Sequence, residues 1–196
     1  MAVSRLSQQS IQQAFPKGNT VWDGTTATSA FDSLGSILVP SGGVTTITFS
    51  SIPATYTHLQ LRMSLLNSTG NQVISMKVNG GVAANTSFHA LRGNGTAASA
   101  ESSANTNSFP VFGRVVGTST TAPSVVIIDL LDYSSTSKAK TIRSLGGCDQ
   151  NGTGEVNLIS AAYYPTATAI SSLELGPYNG AITFTQHSSF ALYGIK

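Results

Sequence analysis

The side chains best suited to chemistry in this 196-residue chain are few and scattered. His58 and Arg62 stand on one side of the stretch SSIPATYTHLQLRMSLL (50–66), with Gln60 and Ser64. Leu59, Leu61, Met63 and Leu65 form the other side. An imidazole and a guanidinium together could belong to a site, or could be the solvent-facing residues of an ordinary strand. No other part of the chain pairs with them as a catalytic set. Arg62 therefore reads as a salt-bridge or interface residue, where its planar fork and its stem both contribute.

Hydrolysis would need paired carboxylates, or a nucleophile with a base. There are only eight acids. Asp129 and Asp132 end an apolar run before a turn, where Asp usually bonds the local backbone, so they do not read as a glycosidase pair. His58, His89 and His187 are far apart and lack the H-x-x-x-H spacing of a zinc site. In CDQNGTGE (148–155), Asp149, Asn151 and Thr153 match positions 1, 3 and 5 of a calcium loop, with Gly154 at position 6. Position 12 is Ser160, where a bidentate Glu belongs, and strands rather than helices flank the stretch. The simpler reading is a hairpin tip turning at Asn-Gly. No metal and no cofactor are expected.

Tyr163, Tyr164, Tyr178 and Tyr193 are candidates for stacking on sugar rings. The competing reading is strand tyrosines packed in the body with the hydroxyl at the rim, and it is preferred.

These residues need elements to hold them. From about residue 36 the signals are those of strands: apolar alternation broken by Gly, Pro and Asn. Asn-Gly occurs at 79–80, 94–95, 151–152 and 179–180, and between alternating segments it is the strongest local hairpin signal. AITFTQ (181–186) reads as one of the last strands. SVVIIDLLDY (124–133) is apolar on both faces in its middle, which predicts a strand buried on both sides. GNGTAASAESSANTNS (93–108) reads as a polar, mobile loop. Roughly ten short strands and no amphipathic helix in the body predict an all-β fold, an antiparallel sandwich or jelly roll over residues 36–196. Residues 1–35 read as an N-terminal arm with one short helix at most. It carries Leu6, Ile11, Phe15, Trp22 and Phe31 in a polar context, so these are expected to dock on a partner.

Composition narrows the function classes. Charged residues make up 9% of the chain and the net charge is +2, against roughly 25% charged residues in ordinary domains. So little positive charge offers no pull toward nucleic acid or an anionic membrane. The single cysteine, Cys148, rules out an intrachain disulfide. The first fifteen residues lack the apolar core of a secretory signal, and no run approaches the length of a membrane span. A product folded in a cytoplasm is expected.

FSSIPATYTHLQLRMSL, IIDLLDYSSTSKAKTIRSLGG, the terminal FALYGIK and the leader SRLSQQSIQQAFPKGNTVWDG together resemble a family of small virion proteins of tailed bacteriophages. The resemblance covers most of the chain and lapses in loops such as 93–108 and 117–124. It implies a structural component of the virion, in head or tail, and not an enzyme. Capsid decoration, a head fibre or a tail-associated role are all consistent with it. It further implies a homo-oligomer, with a trimer expected, anchored to a larger virion protein by the arm. The alternative is a receptor-binding module at a tail-fibre tip, using Tyr163, Tyr164 and Tyr178 against host glycan.

Overall fold

The computed structural model describes residues 30–68, 72–81, 85–115, 122–150, 152–178 and 183–196. At 112–115, 150 and 153 it describes the main chain. The described strands are β1 (Phe31–Leu38), β2 (Ile47–Phe49), β3 (His58–Leu65), β4 (Gln72–Val78), β5 (Thr86–Gly93), β6 (Ala98–Thr106), β7 (Phe109–Val115), β8 (Ser124–Leu131), β9 (Lys140–Gln150), β10 (Thr153–Tyr163), β11 (Leu173–Pro177) and β12 (Ser189–Ile195).

Two antiparallel sheets make a sandwich. The larger runs β1-β12-β3-β8-β9-β10-β5-β6, and the smaller β2-β11-β4-β7. Their inner faces share one core. Leu59, Leu61, Met63 and Leu65 of β3 are buried there, with Val126, Ile128 and Leu130 of β8 and Phe190 and Leu192 of β12. Ile74, Met76, Val78, Leu173 and Leu175 face them from the smaller sheet. The alternation of β3 does what its sequence demands: period-two apolar residues put every second side chain on one face. The other side of the same strand, with His58, Gln60 and Arg62, points outward.

Three expectations are corrected. First, 93–108 is largely strand β6, paired with β5 from Gly93↔Ala98 to Thr86↔Thr106. The side chain of Asn94 accepts the N–H groups of Thr96 (3.0 Å) and Ala97 (2.8 Å), which closes the turn. The ladder then orders residues that have little apolar surface to bury. Second, β8 is buried on one face only: Val125 and Ile127 lie outward and exposed. Third, β1 begins at Phe31, so residues 31–35 belong to the sheet rather than to an arm. The other arm residues singled out above, Leu6, Ile11, Phe15 and Trp22, lie outside the described residues.

The Asn-Gly signals divide. The one at 94–95 turns the β5–β6 hairpin, and β9 and β10 pair on either side of the one at 151–152, whose Asn151 lies outside the described residues. Asn79-Gly80 instead leads the chain from the smaller sheet to the larger. Asn79 adopts φ 50°, and its Oδ1 accepts the N–H groups of Ser171 (2.8 Å) and Ser172 (3.2 Å). The pair at 179–180 lies outside the described residues. In the 181–186 stretch, Phe184 makes isolated bridges to Val44 and Asn67 instead of a strand of its own.

Candidate functional site

The outer face of the larger sheet holds the residues that drew attention first. Arg62, in the middle of β3, is flanked by β12 and lies over two rings. Its guanidinium carbon is 5.3 Å from the centre of Phe31 and 5.1 Å from that of Tyr193. The rings meet edge to face at 6.4 Å. Arg62 Nε–H donates to Gln60 Oε1 (2.7 Å), and Gln60 Nε2–H donates to Asp129 Oδ1 (2.8 Å). The arginine is thus held by two aromatic quadrupoles and an amide, with its stem on the sheet. Phe31 packs here on the chain's own body, and Tyr193 is a wall of this cluster.

His58 sits one turn of the pleat away, at the start of β3. Its Nδ1 accepts the N–H of Asp132 at 2.9 Å, so that nitrogen carries no proton in this geometry. Asp132 makes an ion pair with Lys138 at 2.6 Å, and this hydrogen bond holds its carboxyl below the ordinary Asp range. Asp132 therefore serves its own turn, and Asp129 serves Gln60, so the structure does not join the two acids as a pair. His89 lies on β5, and His187 in the turn before β12 with φ 76°. Among the described residues no group of three His, Cys, Asp or Glu could hold a metal ion.

The 148–155 stretch is a hairpin tip. Gln150 pairs with Thr153 across it, and Asp149 Oδ1 accepts the N–H of Gly152 at 3.0 Å. Ser160 lies well up β10, paired with Arg143 and His89, away from that tip. Asn151 and the side chain of Thr153 lie outside the described residues.

The tyrosines do not form a common surface. Tyr163 is buried in the core, where its ring lies 5.8 Å from Lys140 Nζ and its hydroxyl accepts from Asn79 Nδ2 at 3.3 Å. That removes it from the glycan candidates. Tyr164 is half-exposed beside Ser87, with the two hydroxyls 2.7 Å apart. Tyr178 follows β11, in the other sheet.

The feature that the residue-by-residue reading missed is apolar. Arg62, Ile127, Leu145, Leu158, Leu91 and Ala100 are successive direct partners across β3, β8, β9, β10, β5 and β6. Beside that row run Val125, Gly147, Val156, Gly93 and Ala98. The six large aliphatics in these two rows are 39–59% exposed. On the other side lies a polar row of Gln60, Asp129, Arg143, Ser160, His89 and Ser102. A hollow of about 510 Å³ opens where the apolar and polar rows meet, lined by Leu158, Leu91, Ala100, His89 and Glu101 among others. The signal was present in SVVIIDLLDY, whose apolar residues on both faces predict a strand buried on both sides.

A polar group also lies on the inner face of β10 and β5. Asn157 Nδ2–H donates to Glu155 Oε1 at 2.7 Å, and Arg92 pairs with Glu101. Asn157 and Arg92 are direct partners in the β10–β5 ladder, which joins hairpin β9–β10 to hairpin β5–β6.

No protein-family model matches the chain, and neither does any curated protein or solved structure.

Proposed function

We propose that this protein is a structural component of a tailed-bacteriophage particle. It contributes a β-sandwich to head or tail and is attached to a larger virion protein through its N-terminal residues. The observation that carries the reading is the exposed aliphatic field on the larger sheet. Soluble monomers rarely show contiguous apolar patches beyond a few hundred Å², and a surface so poor in charge gains solubility mainly from Ser, Thr and Asn. Such a face suits a subunit that spends its working life covered. The sequence blocks that resemble phage virion proteins point the same way.

The test is location. Purified particles are separated into heads and tails, and the protein is quantified in each fraction by mass spectrometry. Recovery at stoichiometric copy number in one fraction is expected. Its absence from both would overturn the reading. Deletion of residues 1–30 should leave a folded sandwich that no longer joins particles. Normal incorporation of the truncated chain would remove the anchor from the reading.

A further inference from the structure

We infer that the outer face of β8, β9, β10 and β5 is a self-association surface, covered by the same face of a second copy of this chain. The inference deepens the assembly reading above by naming the surface and its partner, and it can be tested without particles.

Three observations favour a second copy. The first is area. Six aliphatics about half exposed amount to on the order of 500 Å² of apolar surface, at the top of the range for a monomer. A standard stable interface takes roughly 800 Å² per partner, so the contact would extend over the adjoining polar row and β6.

The second is the chemistry of the field. Val125, Ile127, Leu145, Val156, Leu158 and Leu91 bring no aromatic ring and no cation. The field itself offers a sugar no stacking platform, and the two arginines at its margin, Arg62 and Arg143, fall short of the cluster of cations that draws a protein to an anionic lipid surface. What fits β-branched and leucine side chains on a pleated sheet is another pleated sheet, packed about 10 Å away.

The third is self-complementarity. The adjoining row carries Asp129 and Arg143 as direct partners, and Arg143 is exposed. A two-fold axis that passes between them in the plane of the contact would present each sign on one copy to its opposite on the other. That is the requirement for an isologous contact.

The experiment is sedimentation velocity on the full chain across a concentration series, with three variants. The double variant Leu145→Glu, Leu158→Glu places charge in the centre of the field. Leu145→Thr, Leu158→Thr removes the aliphatic surface without charge and keeps a strand-forming residue. Thr48→Glu puts the same charge on the exposed outer face of the smaller sheet. The expected result is concentration-dependent association of the wild type, retained by Thr48→Glu and weakened at least tenfold by either double variant, with unchanged far-ultraviolet circular dichroism. A wild type that stays monomeric at every concentration overturns the inference, as does association that both folded double variants retain. Deletion of residues 1–29 distinguishes the remaining occupant. If association disappears with the leader while the face is intact, the leader and not the face makes the contact, and the second-copy inference fails. A dimer that depends on the face but is absent from particles would leave this inference standing and sink the virion reading.

Discussion

Leu145 and Leu158 are direct partners across β9 and β10, and 56% and 50% of their surfaces remain in solvent. Their neighbours in the chain, Ser144 and Ile159, are buried on the opposite side. The same two strands thus carry apolar residues toward the core and away from it. Only the inward set belongs to the core of the single chain.

This asymmetry can be measured on β8. Ile128 is fully buried and Ile127, the next residue, is exposed. In dilute protein, Ile128→Ala should cost about 2–5 kcal/mol of unfolding free energy, since it removes buried methylenes and leaves a cavity. Ile127→Thr should cost less than about 1 kcal/mol, within the range of strand propensity. Urea denaturation of both variants gives the comparison. Equal losses would mean that the outward face is already covered within one chain.

Tyr133 fastens the turn into β3. Its ring is fully buried, its hydroxyl donates to the carbonyl of Pro53, and the hydroxyl oxygen accepts the N–H of Tyr56 at 3.4 Å. Tyr133→Phe keeps the ring and strands both backbone groups. A loss of about 1–3 kcal/mol is expected from thermal or denaturant unfolding. A neutral result would show that solvent reaches those groups.

Lys140 is wholly buried. Its ammonium donates to the carbonyls of Pro165 (2.6 Å) and Thr166 (3.2 Å), and burial lowers its pKa from the ordinary 10.5. Between the lowered value and 10.5 the unfolded chain holds more protons than the folded one, so this group's contribution to stability rises with pH there. Lys140→Met removes that rise and leaves two carbonyls unpaired. The stability difference between wild type and variant should therefore shift toward the wild type as pH increases from 7 to 10. A difference that does not change with pH would contradict it.

Asp132 gives a slope of the same sign in an acidic window, but there the shift stabilises the fold. The Lys138 ammonium lowers its pKa from the usual 3.8. Its contribution is complete above that ordinary value and disappears as pH falls through the lowered one. Carbon-detected titration of the carboxyl should place Asp132 below a typical Asp, and Lys138→Ala should move the midpoint upward. An unmoved midpoint would assign the shift to another neighbour.

Gly194 in β12 lies under the ring of Tyr56. A methyl group added there would fall 2.5 Å from the ring carbons, closer than contact allows. Gly194→Ala should destabilise by about 1–3 kcal/mol through displacement of that ring. Gly194→Ala combined with Tyr56→Ala should recover part of the loss, which a melting series would detect.

The sandwich was legible where side chains alternate cleanly. β3 is the model case, because Leu59, Leu61, Met63 and Leu65 leave one possible inward face. β6 was not legible. ASAESSANT has no apolar period, and its strand state comes from the Asn94 turn and the ladder it shares with β5. β8 was legible as a strand but not as half-bare. Apolar residues on both faces are satisfied equally by a second layer of the same chain or by another molecule. The setting of Arg62 was out of reach for local reading. Its two rings come from Phe31 and Tyr193, at opposite ends of the described sequence, and only the pairing of β1 with β12 brings them together. Asp132 and Asp149 were legible as turn residues, and each engages a partner within its own turn.

The position of β12 has a consequence for how the chain is made. This last strand in chain order lies between β1 and β3, and β1 joins the larger sheet through it. During translation, β1 and β3 emerge first and wait, with no direct ladder to each other, until residues 189–195 have left the ribosome. The edge of β3 is meanwhile an open template for the wrong strand. Closure of the sheet thus waits on a pairing between segments more than a hundred residues apart, the kind of long-range pairing that makes β-sandwiches slow to fold. A chain stalled or cut before β12 would lose the seam that unites both ends of the sheet, and not merely its final strand.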